Sequence, residues 1–282
     1  MSSSTVDELI ISAMARELSG EVLVSSVTAF GALAGLLARA THAPDLGLLA
    51  TPESGMDAGH VPTLTLGQFF TNRNQGIALG MEELFDAIFR DRFRIWINPA
   101  QIDRWGNVNI SAVGDWNRPK VALVGSRGIP EDTSHLSRLL YYLLDHNPRT
   151  VVDQVDFRSG AGNSSERARD VGALGSPTVL VTNLGVFDFQ TGDGHMRIRS
   201  LHPGVTLDMV QKASGFRFAD DQPIPQTPTP NEHTTALIRQ SDPLDMRTME
   251  LSKGPQMAEK MAAIYRRERA LLNRGADSEA PR

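Results

Sequence analysis

The chain has 282 residues, 40% of them hydrophobic and 22% charged, enough to bury a large core. A formal net charge of −5, with no run of Lys/Arg and no basic-aromatic stripe, argues against a nucleic-acid partner. The chain has no cysteine, which excludes disulfides, thiolate metal sites and a cysteine nucleophile, and no apolar stretch reaches the ~18 residues of a membrane span. The first residues lack the basic-then-apolar pattern of a signal peptide, so a cytoplasmic location away from membranes is expected.

A first helix is predicted over residues 6–18. Thr5 and Glu8 form a capping-box pair, and Val6, Leu9, Ile10, Ala13 and Met14 share one face. Gly20 ends it. Residues 21–26 read as a short buried strand, 29–40 as a helix of small residues and 46–50 as a second apolar strand. That strand runs into Thr51-Pro52-Glu53-Ser54-Gly55, where Pro and Gly force a turn. Residues 82–90 read as a helix, 93–98 and 121–125 as strands, 135–144 as a helix, and 150–157 and 178–183 as strands. A hairpin is predicted between 185–190 and 195–201, turning at Thr191-Gly192-Asp193-Gly194. Thr206 caps a short helix reaching residue 214.

The character then changes. Residues 220–231 are rich in proline and read as extended chain, 256–273 as a last helix, and 275–282 as a disordered tail. Three segments are expected: an α/β domain over 1–219, a Pro-rich extended segment over 220–255, and a C-terminal helix and tail over 256–282. Strands alternating with helices predict an α/β fold with an open, mostly parallel sheet and helices on both faces.

Ligands of such sheets bind outside the carboxyl ends of the strands, and two loops qualify. Glu53, beside Ser54 and Gly55, follows an apolar strand and can serve as base or nucleophile, although position alone favours a solvated loop glutamate or a cap partner. Gly125-Ser126-Arg127-Gly128 offers a backbone nest for an anion or carbonyl, with Arg127 as a cation, or else an ordinary turn. The seven histidines form no HExxH or His-x-His pair, so no metal site is expected, and Ser54 lies outside a Gly-x-Ser-x-Gly elbow. The tract Gln101-Ile102-Asp103-Arg104-Trp105-Gly106-Asn107-Val108-Asn109-Ile110-Ser111 reads as a tight turn followed by an alternating strand, and its role is read as structural.

These tracts, with Thr41-His42-Ala43-Pro44-Asp45, Val155-Asp156-Phe157, Val181-Thr182-Asn183-Leu184-Gly185-Val186-Phe187, Ser200-Leu201-His202-Pro203-Gly204-Val205-Thr206, Ala213-Ser214-Gly215-Phe216, Thr227-Pro228-Thr229-Pro230 and Asp242-Pro243-Leu244, occur in order over about residues 20–245. The ordered set resembles the β subunits of class I CoA-transferases of the glutaconate CoA-transferase type. The resemblance implies an α-type partner subunit in a hetero-oligomer of α2β2 form, an acyl-CoA thioester and a carboxylate as substrates, and no permanently bound cofactor. It further implies that Glu53 attacks the thioester and is carried through a mixed anhydride to a glutamyl-CoA thioester, from which a second carboxylate collects the CoA. Ser54, Gly55, Ser126, Arg127 and Gly128 are then expected to contact substrate or CoA.

One loop departs from the transferase pattern. Where the family carries a glycine-rich loop, this chain has Ser126-Arg127-Gly128-Ile129-Pro130-Glu131-Asp132. That stretch resembles the β subunit of actinobacterial hydrolases that open the last steroid ring as a CoA thioester. Those β subunits lack Glu-Ser-Gly, and their working glutamate lies on the α subunit. The alternative expectation is therefore a ring-opening acyl-CoA hydrolase on the same fold.

Overall fold

A computed structural model describes residues 4–20, 23–25, 28–49, 64, 79–163, 176–219 and 223–277. In chain order its elements begin with helix α1 (Val6–Arg16), strand β1 (Leu23–Ser25), helix α2 (Ala29–Thr41), strand β2 (Leu48–Leu49) and helix α3 (Met81–Phe89). Strands β3 (Phe93–Ile97), β4 (Gln101–Ile102), β5 (Val108–Asn109), β6 (Ala112–Val113) and β7 (Val121–Ala122) follow. Next come α4 (Ile129–His135), β8 (Arg138–Leu143), β9 (Ser176–Thr182), β10 (Gly185–Asp188), β11 (Arg197–Leu201) and α5 (Leu207–Lys212). Helices α6 (Glu232–Ser241), α7 (Met246–Glu250) and α8 (Gly254–Asp277) end the described chain.

The chain divides into two compact units, residues 1–84 with 230–282, and residues 85–229. In the first, α1 begins with its capping box: the Thr5 backbone N–H donates to Glu8 at 3.0 Å. Strands β1 and β2 pair in parallel, with Val24 opposite Leu48. Gly35 of α2 lies against this pair, since a Cβ there would come 2.7 Å from the Leu48 side chain. The buried core includes Ile10, Ile11, Met14, Phe30 and Leu33. Buried Glu8 pairs with Arg239 at 2.6 Å, and Arg247 bridges Asp7 and Asp242, both at 2.8 Å. These pairs tie α1 to α6 and α7, so residues 232–241 and 246–250 are helical where extended chain was expected. Asn231 caps α6 by accepting from the Thr234 N–H at 2.8 Å.

The second unit is built on strands in the order β11-β10-β9-β8-β3. β8 runs parallel to β3 and β9, while β10 is antiparallel to β9 and β11. The sheet is thus mixed, with a parallel interior and the expected antiparallel hairpin at one side. Trp96, Tyr141, Tyr142 and Phe187 are its largest fully buried side chains.

Three expectations are corrected here. Residues 138–143 form a strand, not a helix: Leu139 to Leu143 are all buried between parallel neighbours, and an unbroken apolar run suits such a position. Residues 150–157 form no strand; Val151 makes only an isolated bridge to Ile102. Val121 and Ala122 are exposed and pair antiparallel with β6 in a separate ribbon, so the Gly125–Gly128 turn does not follow a strand of the main sheet. At this ribbon's tip Trp116 stacks on Phe157, centroids 4.4 Å apart. Among the described residues no helix is long and apolar enough to cross a membrane.

Candidate active site

The polar tract at residues 101–111 builds a frame from its own side chains. Fully buried Asp103 accepts from the backbone N–H groups of Trp105 and Asn107, both at 3.0 Å, and from the Asn107 side-chain amide at 2.9 Å. Burial pushes its pKa above the ordinary carboxylate value, and the hydrogen bonds oppose that rise. Asn109 donates to Gln101 Oε1 at 2.7 Å and to Ala112 O at 2.6 Å, while its Oδ1 accepts from Ser111 N at 2.9 Å. Gln101 in turn holds Asp156 at 3.1 Å. The structural role expected of this tract is what the contacts describe. Its strand is far shorter than expected, because side-chain bonds take up the backbone groups a ladder would use.

That frame carries the Gly125–Gly128 turn. The Gly125 N–H donates to Ile110 O at 3.2 Å, and Ser126 Oγ lies 3.0 Å from Ser111 Oγ. Gly125 has φ 87° and Arg127 φ 54°. An arginine in the left-handed region is uncommon and is retained only where the surroundings impose it. The Arg127 side chain is exposed, and among the described residues it forms no ion pair or hydrogen bond. The backbone N–H groups of Ser126, Arg127 and Gly128 likewise have no acceptor among the described residues. Three such donors and one guanidinium thus lie on consecutive residues, a combination suited to a carbonyl oxygen or an anion. Gly128 precedes α4, and Asp132 within that helix is buried and raised to about 7, first by desolvation and then by Glu131.

Two buried histidines, which sequence reasoning left as scattered residues, share one polar network. His202 Nε2 donates to Thr182 O at 2.8 Å, and its Nδ1 lies 3.0 Å from Thr227 Oγ1. His146 Nε2 lies 2.9 Å from Ser214 Oγ, whose hydroxyl donates to Val210 O, and Nδ1 lies 3.2 Å from Thr182 Oγ1. Each ring is thus satisfied as a neutral Nε2–H tautomer, and burial lowers both to about 4. Both look inward to core groups, so their role is structural. No local pattern in the sequence marks them; Thr182 joins the two rings in space, and its hydroxyl accepts from the Leu184 N–H at 3.0 Å.

This network gives a pH prediction. A histidine held near 4 in the fold and near 6.5 when unfolded is neutral in the native state, so the unfolded chain binds more protons between those values. Its stabilising share is complete above about 6.5 and is lost as pH falls toward 4, at up to ~1.4 kcal/mol per pH unit. Asp132 and Glu250, both raised to about 7 chiefly by burial, act oppositely, losing stability as pH rises toward 7. The wild-type curve therefore mixes both signs. The expected result is that the stability advantage of wild type over His202→Gln, by denaturant titration, shrinks steadily from pH 6.5 to 4.5. A constant difference across that range would show that His202 is not held neutral.

Glu53, Ser54 and Gly55 lie outside the described residues. Ser126, Arg127 and Gly128 stand together on one partly exposed turn of the second unit. Among the described residues no cluster of three or more His, Asp or Glu side chains could hold a metal ion.

No family model matches the chain. The cholesterol ring-cleaving hydrolase IpdB subunit of Mycobacterium tuberculosis is 36% identical over 238 residues, 83% of this chain and 92% of that protein. The B-type subunit of the 3-oxoadipate CoA-transferase of Pseudomonas knackmussii is 30% identical over 247 residues, 85% of this chain and 94% of that protein. The crystal structure of Rhodococcus jostii RHA1 IpdAB superposes with a TM-score of 0.74 at 30% identity, covering 89% of this chain and 99% of that one. Relatives of both expected kinds are thus matched over nearly their whole length, and the chain belongs to the β-subunit family of the class I CoA-transferases, in which CoA-transferase and ring-cleaving hydrolase subunits share one fold.

Proposed function

We propose that this chain is the β subunit of a heteromeric, cytoplasmic CoA-transferase that moves CoA between an acyl-CoA and a carboxylic acid, with Glu53 as nucleophile. The observation that carries the reading is family membership together with an intact Glu53-Ser54-Gly55. The Glu53 carboxylate adds to the thioester carbonyl and the CoA thiolate leaves, giving an acyl-glutamyl anhydride. The thiolate then attacks the glutamyl carbonyl, releasing the free acid and leaving glutamyl-CoA. The acceptor carboxylate reverses these two steps and restores Glu53. A carboxylate nucleophile thereby divides one difficult exchange into easier ones, and binding energy from the CoA moiety can be used at the reacting carbon. Ser54 and Gly55 flank the nucleophile; Ser126, Arg127 and Gly128 supply donors and positive charge for substrate or CoA. An α-type subunit, in an α2β2 assembly, completes the site.

The second reading is a hydrolase of a ring-cleavage acyl-CoA, in which water replaces the acceptor carboxylate. It is favoured by the 36% identity to the ring-cleaving subunit and by the Ser126–Asp132 stretch. Peptide mass spectrometry of the co-purified complex after exposure to acyl-CoAs without acceptor separates the two. A CoA-sized adduct on the peptide bearing Glu53 is the expected result. Acyl-CoA consumption with no adduct moves the assignment to the hydrolase, with catalytic groups on the partner.

A further inference from the structure

Behind the partly exposed turn runs a chain of three serine hydroxyls. Ser159 Oγ accepts from the Ile110 backbone N–H at 2.9 Å and lies 2.7 Å from Ser111 Oγ. Ser111 Oγ lies 3.0 Å from Ser126 Oγ. Ser111 and Ser159 are buried, and Ser126 is half-buried.

The direction of this chain follows from counting hydrogens. If Ser111 donated to Ser159, the Ser159 hydrogen would have no acceptor among the described residues, in a buried place where an unmade bond is costly. If Ser159 donates to Ser111 and Ser111 to Ser126, both buried hydroxyls are satisfied. The one hydrogen left over is then on half-buried Ser126. Each bond in such a chain polarises the next, so the outermost O–H is a better donor than an isolated serine. It stands with the backbone N–H groups of Ser126, Arg127 and Gly128, which have no acceptor among the described residues.

We propose that Ser111 and Ser159 are positioning residues that hold the Ser126 hydroxyl as a hydrogen-bond donor to the thioester carbonyl oxygen of bound acyl-CoA. The inference rests on the reading of this chain as part of an acyl-CoA enzyme. Ser126 keeps its proton and forms no covalent bond. Its O–H shortens onto the oxygen as the nucleophile adds to the carbonyl carbon and negative charge collects there. A donor set in advance stabilises that oxyanion more than it stabilises the ground-state carbonyl.

The test is a double-mutant cycle on the complex co-purified with its α-type partner, reading kcat, KM and Tm. Ser126→Ala is expected to lower kcat for acyl-CoA consumption by about 100-fold with little change in KM, as for loss of one oxyanion donor. Ser159→Ala is expected to lower kcat about 10-fold when Ser126 is present, and to add nothing when position 126 is already alanine. Tm should fall with Ser159→Ala in both backgrounds, because the Ile110 N–H loses its acceptor; a purely structural role would move Tm alone. Unchanged kcat in Ser126→Ala, or the same fold-loss from Ser159→Ala in both backgrounds, overturns the inference while leaving the acyl-CoA reading intact. A wild-type complex that consumes no acyl-CoA overturns both.

Discussion

Replacing Glu53 by glutamine is expected to abolish acyl-CoA turnover, with kcat falling by ~10³-fold or more, as for other enzymes that lose their nucleophile. Glutamine matches glutamate in shape but cannot attack a thioester as an anion, so the loss belongs to the chemical step. The CoA adduct on the Glu53 peptide should vanish with it. Tm of the complex should change little, since one neutral isostere replaces the carboxylate. Retained turnover in this variant would remove Glu53 from the mechanism and leave the hydrolase reading, in which the working carboxylate belongs to the partner. The variant thus separates two reactions carried by one fold, a distinction that fold alone never makes.

The largest stability effect is expected at Gly162. A Cβ there would sit within contact distance of Trp105 O and Asn107 N, and 2.5 Å from Gly106 C. All three are backbone atoms of the turn that Asp103 holds, so none can rotate away. The Gly162 N–H also donates to Asn107 Oδ1 at 2.8 Å, and the Asn163 N–H to Trp105 O at 2.7 Å. Gly162→Ala must therefore part the two segments and strain the Asp103 cradle. A loss of about 3 kcal/mol or more is expected, read as a fall in Tm of roughly 10 °C. Gly128→Ala is the control: a Cβ there meets nothing within 4 Å, and a change within about 0.5 kcal/mol is expected. Equal Tm values for the two variants would contradict the close approach at Gly162.

Local chemistry makes several elements legible from residue order. Thr5 and Glu8 mark the start of α1, Thr206 caps α5 by accepting from the Met209 N–H at 3.3 Å, and the residues 191–194 turn lies between β10 and β11. Each is a signal within a few residues, where side chain and backbone answer one another directly. Residues 138–143 mislead because an unbroken apolar run has no period: burial on both faces of a parallel sheet and burial all round a helix look alike. The helices at 232–241 and 246–250 escape a local reading because ion pairs with Asp7 and Glu8, more than 200 residues away, hold them in place.

The site divides along the same line. Ordered tracts matching one family, with Glu53-Ser54-Gly55 among them, are readable as sequence, because each is a short string whose residues stand side by side. The serine chain is not. Ser111, Ser126 and Ser159 are ordinary residues 15 and 48 positions apart, and only folding brings their hydroxyls to 3.0 and 2.7 Å. Residue order was thus enough for the family, the candidate nucleophile and the elements set by local capping and turns. Folding was needed to settle which strands are interior, how the Arg127 turn is held and which buried hydroxyls meet. Burial, long-range pairing and hydrogen-bond direction belong to residues brought together in space, not to their succession along the chain.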